Sequence, residues 1–242
     1  MFSFYDMCYG FMFFFLASIF GYIAECTFVS IGNKKLTLNR GFLMGPYIPI
    51  YGAGTCTVVI ILKDYMDDPV IFFFMTTIIC SFIEYITSLV LEKIFKVRWW
   101  DYSHEKFNIN GRICLKNSFL FGLAGLTVLY TLYPLMCDFL SIIPNTILEV
   151  VGVLCFIAFI SDFIFTTKAL INVKSSLKDI KGDATEEAHK EVIKALEKHE
   201  FQFNRLISSH PNIELFNSDT VKKFKYKMLE LRELKKEKKS KK

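Results

Sequence analysis

Residues 70–92 have the sequence VIFFFMTTIICSFIEYITSLVLE, in which Glu84 and Glu92 are the only charged side chains. A helix of this length is about 34 Å long, enough to cross a bilayer core of about 30 Å. So long an apolar run is not typical of a helix on the surface of a water-soluble domain. The stretch therefore predicts a transmembrane helix.

Four further stretches have the same character, so we predict an all-α polytopic bundle of about five spans. The predicted spans are residues 9–31, 41–62, 70–92, 118–137 and 142–165. Hydrophobic residues make up 52% of the 242 residues, which excludes an ordinary soluble enzyme, a disulfide scaffold and a disordered chain. The seven cysteines form no Cys-x-x-Cys pair, and we interpret them as small core residues.

The loops between the predicted spans alternate in charge. The first loop, the third loop and the tail are rich in Lys and Arg, whereas the N-terminus, the second loop and the fourth loop are mainly acidic. Because basic loops stay in the cytoplasm, this pattern predicts the N-terminus outside and the C-terminus inside. An odd number of spans is needed for that topology, so the alternation supports five.

The charge balance changes near residue 173. Residues 173–242 hold 18 Lys and Arg against 12 Asp and Glu, whereas the preceding residues hold 11 against 12. We therefore predict a transmembrane domain over residues 1–172 and a basic cytoplasmic helical tail over residues 173–242. The tail pattern favours two helices separated by Pro211, which either pack as a hairpin or present a coiled-coil face to a partner.

A short pattern occurs twice in the predicted bundle. Glu25 and Glu84 each lie toward the cytoplasmic end of an odd-numbered span. The motifs that follow are Asn39-Arg40 with GFLMG at residues 41–45, and Asn110-Gly111-Arg112 with SFLFG at residues 118–122. The pattern indicates a parallel internal repeat about an axis along the membrane normal, as in some transporters. The alternative is chance recurrence of short apolar motifs.

Glu25 and Glu84 are the strongest candidates for a site, because ionisable groups inside a bilayer are costly. Arg40 and Arg112, at the inner ends of the following spans, are their natural partners. Each Glu either forms a structural clamp with an Arg, or binds a substrate or ion, or extends to the interface.

Further residues belong to the same predicted substrate or ion path. Asn39 and Asn110 lie beside the two arginines. Pro46 and Pro49 remove backbone donors, and the freed carbonyls are tolerated at membrane depth only beside protein or water. We therefore expect an unwound or kinked helix near Tyr51, with a kink used only for packing as the alternative. Glu149 and Asp162, in the fifth span, are weaker candidates.

The third loop carries side chains that suit the lipid headgroup layer, because Trp and Tyr concentrate there and Arg binds phosphate or carboxylate. These residues are Arg98, Trp99, Trp100, Asp101 and Tyr102. His104 near Asp101 hints at acid–base chemistry, but no nucleophile and no second histidine lie at a meaningful spacing. We therefore expect no enzyme activity, no metal and no cofactor.

Several motifs resemble those of a bacterial family called putative ABC-transporter type IV, or CmpB-like permeases. They are Asn39–Leu43, Gly45–Tyr47, Pro49–Gly52, Trp100–Ser103 and Asn110–Ile113. The resemblance covers about residues 10–170 and leaves out the tail. It implies a multi-pass protein of the cytoplasmic membrane, found mainly in Gram-positive bacteria, with a transport function but no established substrate or catalytic residues.

Together these features predict a permease-like subunit that moves or binds a small solute or lipid in the bacterial cell membrane. Its expected partners are the lipid bilayer, a separate ATPase subunit and further copies of the chain, with no nucleic acid. The chain itself carries no GxxxxGK[ST] motif, so an ATPase would be another protein. The alternative is a non-transporting scaffold or lipid-binding regulator whose tail docks a partner.

Overall fold

The computed structural model describes residues 3–34, 36–38, 40–95, 97–179 and 214–215, and this part of the chain is mostly helical. The helices are α1 (Phe4–Asn33), α2 (Pro49–Leu62), α3 (Pro69–Phe95), α4 (Leu115–Thr127), α5 (Tyr133–Ile142) and α6 (Asn145–Asp179). Short strands are β1 (Val97–Arg98), β2 (Asn108–Ile109), β3 (Ile113–Cys114) and β4 (Glu214–Leu215). β2 and β3 pair as an antiparallel hairpin.

Local signals fix where α1 begins and ends. Ser3 and Asp6 form a capping box, in which the Ser3 hydroxyl accepts from the Asp6 amide at 3.1 Å and the Asp6 carboxylate accepts from the Ser3 amide at 2.8 Å. These bonds satisfy amides that the first turn of a helix leaves unpaired. The helix ends at Asn33, and the next residue, Lys34, adopts a left-handed conformation with φ of 49°.

A π-helical turn at Val128–Leu132 joins α4 to α5 without a break. In this turn the Tyr133 amide donates to the Val128 carbonyl, one residue further back than in an α-helix. Pro134 follows directly and supplies no amide donor, so the wider turn accommodates the missing bond. As a result, Leu115–Ile142 forms a single apolar rod.

The chain passes along the bundle five times. α2 is antiparallel to α1, because Tyr51 packs on Gly21 whereas Val59 packs on the core near the start of α1. α4 is antiparallel to α3, and α6 runs parallel to α1. We call the end at which α1 and α3 finish and the β2–β3 hairpin lies the hairpin end.

Four helices are long and apolar enough to cross a membrane: Phe4–Gly32, Pro69–Phe95, Leu115–Ile142 and Asn145–Ala169. The second predicted span, residues 41–62, is helical only from Pro49. α2 has 14 residues and is about 21 Å long, shorter than a bilayer core. Residues 40–48, which we call the linking segment, complete this pass without regular helix.

Apolar side chains both fill the bundle and cover it. One core cluster joins α1, α5 and α6 through Met12, Met136 and Leu148, and a second joins α2 and α3 through Leu62 and Phe72. Many large apolar side chains on the outer faces are exposed. In the most apolar stretch of α6, only 11% of the residues are buried inside the bundle. Such a surface is far more apolar than that of a water-soluble monomer.

The helix α6 continues to Asp179, past the predicted domain boundary at residue 173. The two predicted tail helices fall on residues outside the described part of the chain. Of the tail beyond α6, the structure describes β4, which pairs antiparallel with β1 so that Val97 faces Leu215 and Arg98 faces Glu214.

Candidate functional site

Glu25 of α1 makes two polar contacts with the second pass of the chain. Its Oε1 atom lies 2.9 Å from Nη2 of Arg40, and its Oε2 atom accepts a hydrogen bond of 3.0 Å from the Tyr51 hydroxyl. The side chains of Arg40 and Glu25 are 14% and 26% exposed, so water screens the ion pair only partly. The predicted Glu25–Arg40 pairing is therefore present.

The start of α2 brings Tyr51 to Glu25. Pro49 lies in the first turn of α2, where a missing amide costs nothing, so the helix begins here. The Tyr51 ring then packs directly on Gly21, one turn before Glu25, where any side chain would collide with it. Close approach at Gly21 thus sets the level at which the Tyr51 hydroxyl meets the carboxylate.

Asp162 of α6 holds the linking segment in its non-helical form. Its carboxylate accepts from the Met44 amide at 3.1 Å, the Gly45 amide at 2.8 Å and the Tyr47 hydroxyl at 2.7 Å. Thr166, one turn along α6, donates a fourth bond of 2.9 Å. The Asp162 carboxylate thus accepts hydrogen bonds from amides that a regular helix would have paired internally. Non-helical backbone inside a membrane needs such partners, because the bilayer core offers no water to bind them.

Pro46 lies near the end of the linking segment, and Pro49 is the first residue of α2. The non-helical stretch therefore lies where the two prolines predict an unwound helix. Gly41, at its start, has φ of 101°, a conformation that side chains other than glycine rarely adopt. The sequence makes Asp162 only a weaker candidate, because its partners in the linking segment are more than 100 residues away in the chain. A polar Asp-x-x-x-Thr pair on one face of an apolar helix was the available signal.

Glu84 of α3 is buried, with 7% of its surface exposed. Its Oε1 atom accepts a hydrogen bond of 3.1 Å from the Tyr102 hydroxyl, and its Oε2 atom has no partner among the described residues. Burial raises the pKa of the Tyr102 phenol, and the carboxylates of Glu84 and Glu25 raise it further. Tyr102 therefore stays protonated and donates to Glu84 at neutral pH.

These contacts place both acidic residues around one polar region. The Tyr51 hydroxyl interacts electrostatically with Glu25, Glu84 and Arg40. We call Glu25, Glu84, Arg40, Tyr51 and Tyr102 the acidic site. Glu25 is about 12 Å and Glu84 about 16 Å from the hairpin ends of their helices, by the helical rise per residue. The site therefore lies inside the bundle and not at its rim.

Arg112 is not the partner of Glu84. Its Nη1 atom lies 2.7 Å from the carboxylate of Glu92 and 3.2 Å from the Ser88 hydroxyl. Arg98 contacts the same carboxylate at 3.2 Å. Glu92 is eight residues nearer the hairpin end than Glu84, about 12 Å along the helix, and it meets the returning loop first. The two halves of the predicted repeat thus pair their arginines differently.

The repeat is visible in the packing of the helices instead. Ser18 and Thr77 each lie seven residues before the acidic residue of their helix. A Cβ atom on Gly52 would collide with the Ser18 hydroxyl, and one on Gly122 with the Thr77 hydroxyl. The motifs at residues 41–45 and 118–122 are not equivalent, because the first is non-helical and the second lies in α4.

The third loop folds inward onto the bundle. Trp99 is 5% exposed and packs edge-on against Phe42 of the linking segment, with ring centroids 5.3 Å apart. The Trp100 indole donates to the Arg112 carbonyl at 3.0 Å. These contacts join the loop to the linking segment and to itself, and the placement of both rings in the headgroup layer stays a prediction.

Asp101 and Asn110 shape the same loop. Hydrogen bonds from the Ser103 hydroxyl and amide, together with nearby Arg98, hold the pKa of Asp101 below its usual range. Asn110 adopts a positive φ of 54° and donates to the Tyr85 hydroxyl at 2.9 Å. Asn39, the other predicted asparagine, lies outside the described residues. In the described ranges, no group of three or more His, Cys, Asp or Glu side chains could hold a metal ion.

The chain forms a bundle of long apolar helices, and its acidic site lies inside that bundle beside the non-helical linking segment. These features define the chain as a membrane protein. Residues 12–167 match the family described as Putative ABC-transporter type IV, and the chain belongs to that family. No curated protein and no solved structure matches the chain.

Proposed function

We propose that the chain is the membrane-spanning permease subunit of an ABC-type transporter, and that it moves a small solute or lipid past the acidic site. The observation that supports this role is Glu84, a carboxylate buried well inside the bundle, with one oxygen that has no partner among the described residues. Ionisable groups in that position are costly and mark substrate and ion paths. The broken second pass beside it resembles the discontinuous helices that form transporter sites.

In this proposal the protein is a multi-pass component of the bacterial cytoplasmic membrane. The linking segment and α2 together form the second of five crossings, with the N-terminus outside and the hairpin end in the cytoplasm. The basic residues of the hairpin end, including Arg40, Arg98 and Arg112, support this orientation under the positive-inside rule.

The proposed transporter needs further components. A separate ATPase subunit supplies energy and docks on the third loop and tail, and a second copy of the chain encloses the path with the first. We also propose that the chain is not itself an enzyme and binds no nucleic acid. In the third loop, Asp101 is engaged by Ser103 and Arg98, which leaves it poorly placed to activate His104.

One contact favours the alternative of a scaffold or lipid-binding regulator. Strand β4 of the tail pairs with β1, which directly follows α3, so the tail reaches the membrane domain of its own chain. If the chain is a regulator, the β1–β4 pairing would transmit a signal between the tail and the membrane domain. The Glu25–Arg40 pair would then only hold α1 and the linking segment together.

Isolation from native membranes distinguishes the two functions. For the permease, we expect the full-length chain to co-isolate with an ATP-binding subunit. Uptake into vesicles made from those membranes should then fall about tenfold or more in Glu25→Gln and Glu84→Gln, as for a loss of about 1.4 kcal/mol of binding. Glu105→Gln is the matched control, because Glu105 forms an exposed pair with Lys116.

The opposite result would support the regulator. Uptake of every tested solute would be unaffected by the two site variants, no ATP-binding subunit would co-isolate, and only deletion of residues 180–242 would abolish function.

A further inference from the structure

The open oxygen of Glu84 is an unfilled acceptor in the acidic site. Only 7% of the surface of Glu84 is exposed. The Tyr102 hydroxyl donates a hydrogen bond to Oε1 but not to Oε2. Oε2 is shielded from solvent and has no hydrogen-bond partner among the described residues. Burying a carboxylate oxygen without a partner is strongly unfavourable, so a ligand that supplies a donor here would relieve that cost.

In the part of the chain that the structure describes, no Lys or Arg side chain pairs with Glu84. Arg40 is paired with Glu25, and Arg98 and Arg112 are paired with Glu92. The hydroxyls that complete the site, from Tyr51 and Tyr102, are neutral donors. A ligand with a single positive charge would therefore pair with the ionised Glu84 side chain, whereas an anion would be repelled by it.

The number and kind of open groups narrow the ligand further. Divalent metal ions take about six or more oxygen ligands, and no acidic or His/Cys cluster of three or more occurs in the described ranges. A quaternary ammonium ion has no N–H to donate to Oε2. A primary ammonium group has both the charge and the donor, and tyrosine rings such as those of Tyr51 and Tyr102 attract cations.

We propose that Glu84 binds the primary ammonium group of a small amine through Oε2, within the acidic site. This inference rests on the proposed function, because it names the class of solute that the permease would recognise at the acidic site.

Thermal unfolding of the purified full-length protein in detergent tests this binding directly. We expect ethylammonium chloride to raise the unfolding midpoint saturably, and tetramethylammonium chloride at the same ionic strength to leave it unchanged. The apparent affinity for ethylammonium should fall about tenfold or more in Glu84→Gln, because a charged hydrogen bond is lost. Glu105→Gln should bind like the wild type.

Two results would overturn the inference: equal shifts with both ammonium salts, or an ethylammonium shift that persists in a folded Glu84→Gln variant. If that variant does not fold, the comparison of the two salts on the wild-type protein still decides. The absence of an ethylammonium-specific shift would then reject the site.

The binding and transport tests can fail separately. Ethylammonium binding without ATP-dependent uptake of radiolabelled ethylamine or of any other tested solute would keep the amine site and reject the permease role. ATP-dependent uptake of other solutes without ethylammonium binding would reject the amine site and keep the permease role.

Discussion

At the residue scale, the Glu25–Arg40 pair joins α1 to the linking segment in a place that water reaches only partly. Its energy depends on two opposed effects, the attraction between the charges and the cost of removing them from water. Removing one partner leaves the other charge buried, whereas removing both leaves neither. The pair is therefore best measured by a double-mutant cycle.

We predict that Arg40→Gln and Glu25→Gln each destabilise the protein, and that the double variant loses less than the sum of the two. The coupling energy should be about 0.5–3 kcal/mol, as for residues in direct contact. Reversible unfolding in mixed micelles provides the free energies. A coupling energy near zero would show that the two side chains act independently. The control cycle is Glu105→Gln with Lys116→Gln, an exposed pair 3.5 Å apart.

The pairing of Glu25 could be predicted from sequence and that of Glu84 could not. Arg40 follows the end of α1 by a few residues, where the chain turns back along α1 and can return a cation to the level of Glu25. Glu84 has Glu92 further along the same helix, and the loop that returns past them brings both Arg112 and Tyr102. Which carboxylate each donor meets depends on the path of that loop, which hydropathy does not encode.

At the scale of elements, the second pass differs most from its prediction. Its apolar composition predicted one helical span over residues 41–62, but the structure is helical only from Pro49, because composition does not distinguish helix from extended chain over residues 40–48. Pro46 and Pro49 predicted a break. Its partner Asp162 was hidden, since the contact joins residues 118 positions apart in the case of Met44.

We predict that Asp162→Asn loosens the linking segment, because an amide has one acceptor oxygen where the carboxylate uses two. The local loss should be about 1–3 kcal/mol. In a cysteine-free background, Met44→Cys should then react with a maleimide about tenfold faster or more when Asp162→Asn is present.

Glu149→Gln is the control for this experiment, since it also neutralises an acidic residue of α6. An unchanged labelling rate in Asp162→Asn would mean that the segment is held by other contacts, such as Trp99 against Phe42.

The packing of α2 on α1 gives a second prediction for this element. A Cβ atom on Gly52 would collide with the Ser18 hydroxyl and lie 2.6 Å from the Phe14 carbonyl oxygen, part of the rigid backbone of α1. Gly52→Ala should therefore lower the free energy of unfolding by about 1–3 kcal/mol.

Gly54, two residues after Gly52 in the same helix, is the matched control. A Cβ there would meet its nearest atom, the Cys80 sulfur, at 3.8 Å, an ordinary contact. Gly54→Ala should be neutral or stabilise the helix by up to about 1 kcal/mol. Equal effects of the two substitutions in the unfolding assay would contradict the close packing at Gly52.

At the scale of the whole molecule, the directions of the helices and the distribution of charge lead to the same topology. The five passes place the β2–β3 hairpin and the end of α6 at one end of the bundle, and the Lys63–Tyr65 turn at the other. The hairpin end carries the excess of Arg and Lys, so the positive-inside rule predicts that it faces the cytoplasm.

We therefore predict that a cysteine at position 67 is labelled from outside intact cells, and one at position 104 only after permeabilisation. Asp67 and His104 are both exposed and lie at opposite ends, so Asp67→Cys and His104→Cys in a cysteine-free background form a matched pair. The reverse labelling pattern would show that the protein has the opposite orientation in the membrane. Labelling of both from the same side would mean that α3, the one pass between positions 67 and 104, does not cross the bilayer. That outcome would also remove the main support for a path at the acidic site, since Glu84 lies in α3 and a helix that does not cross the bilayer cannot line one.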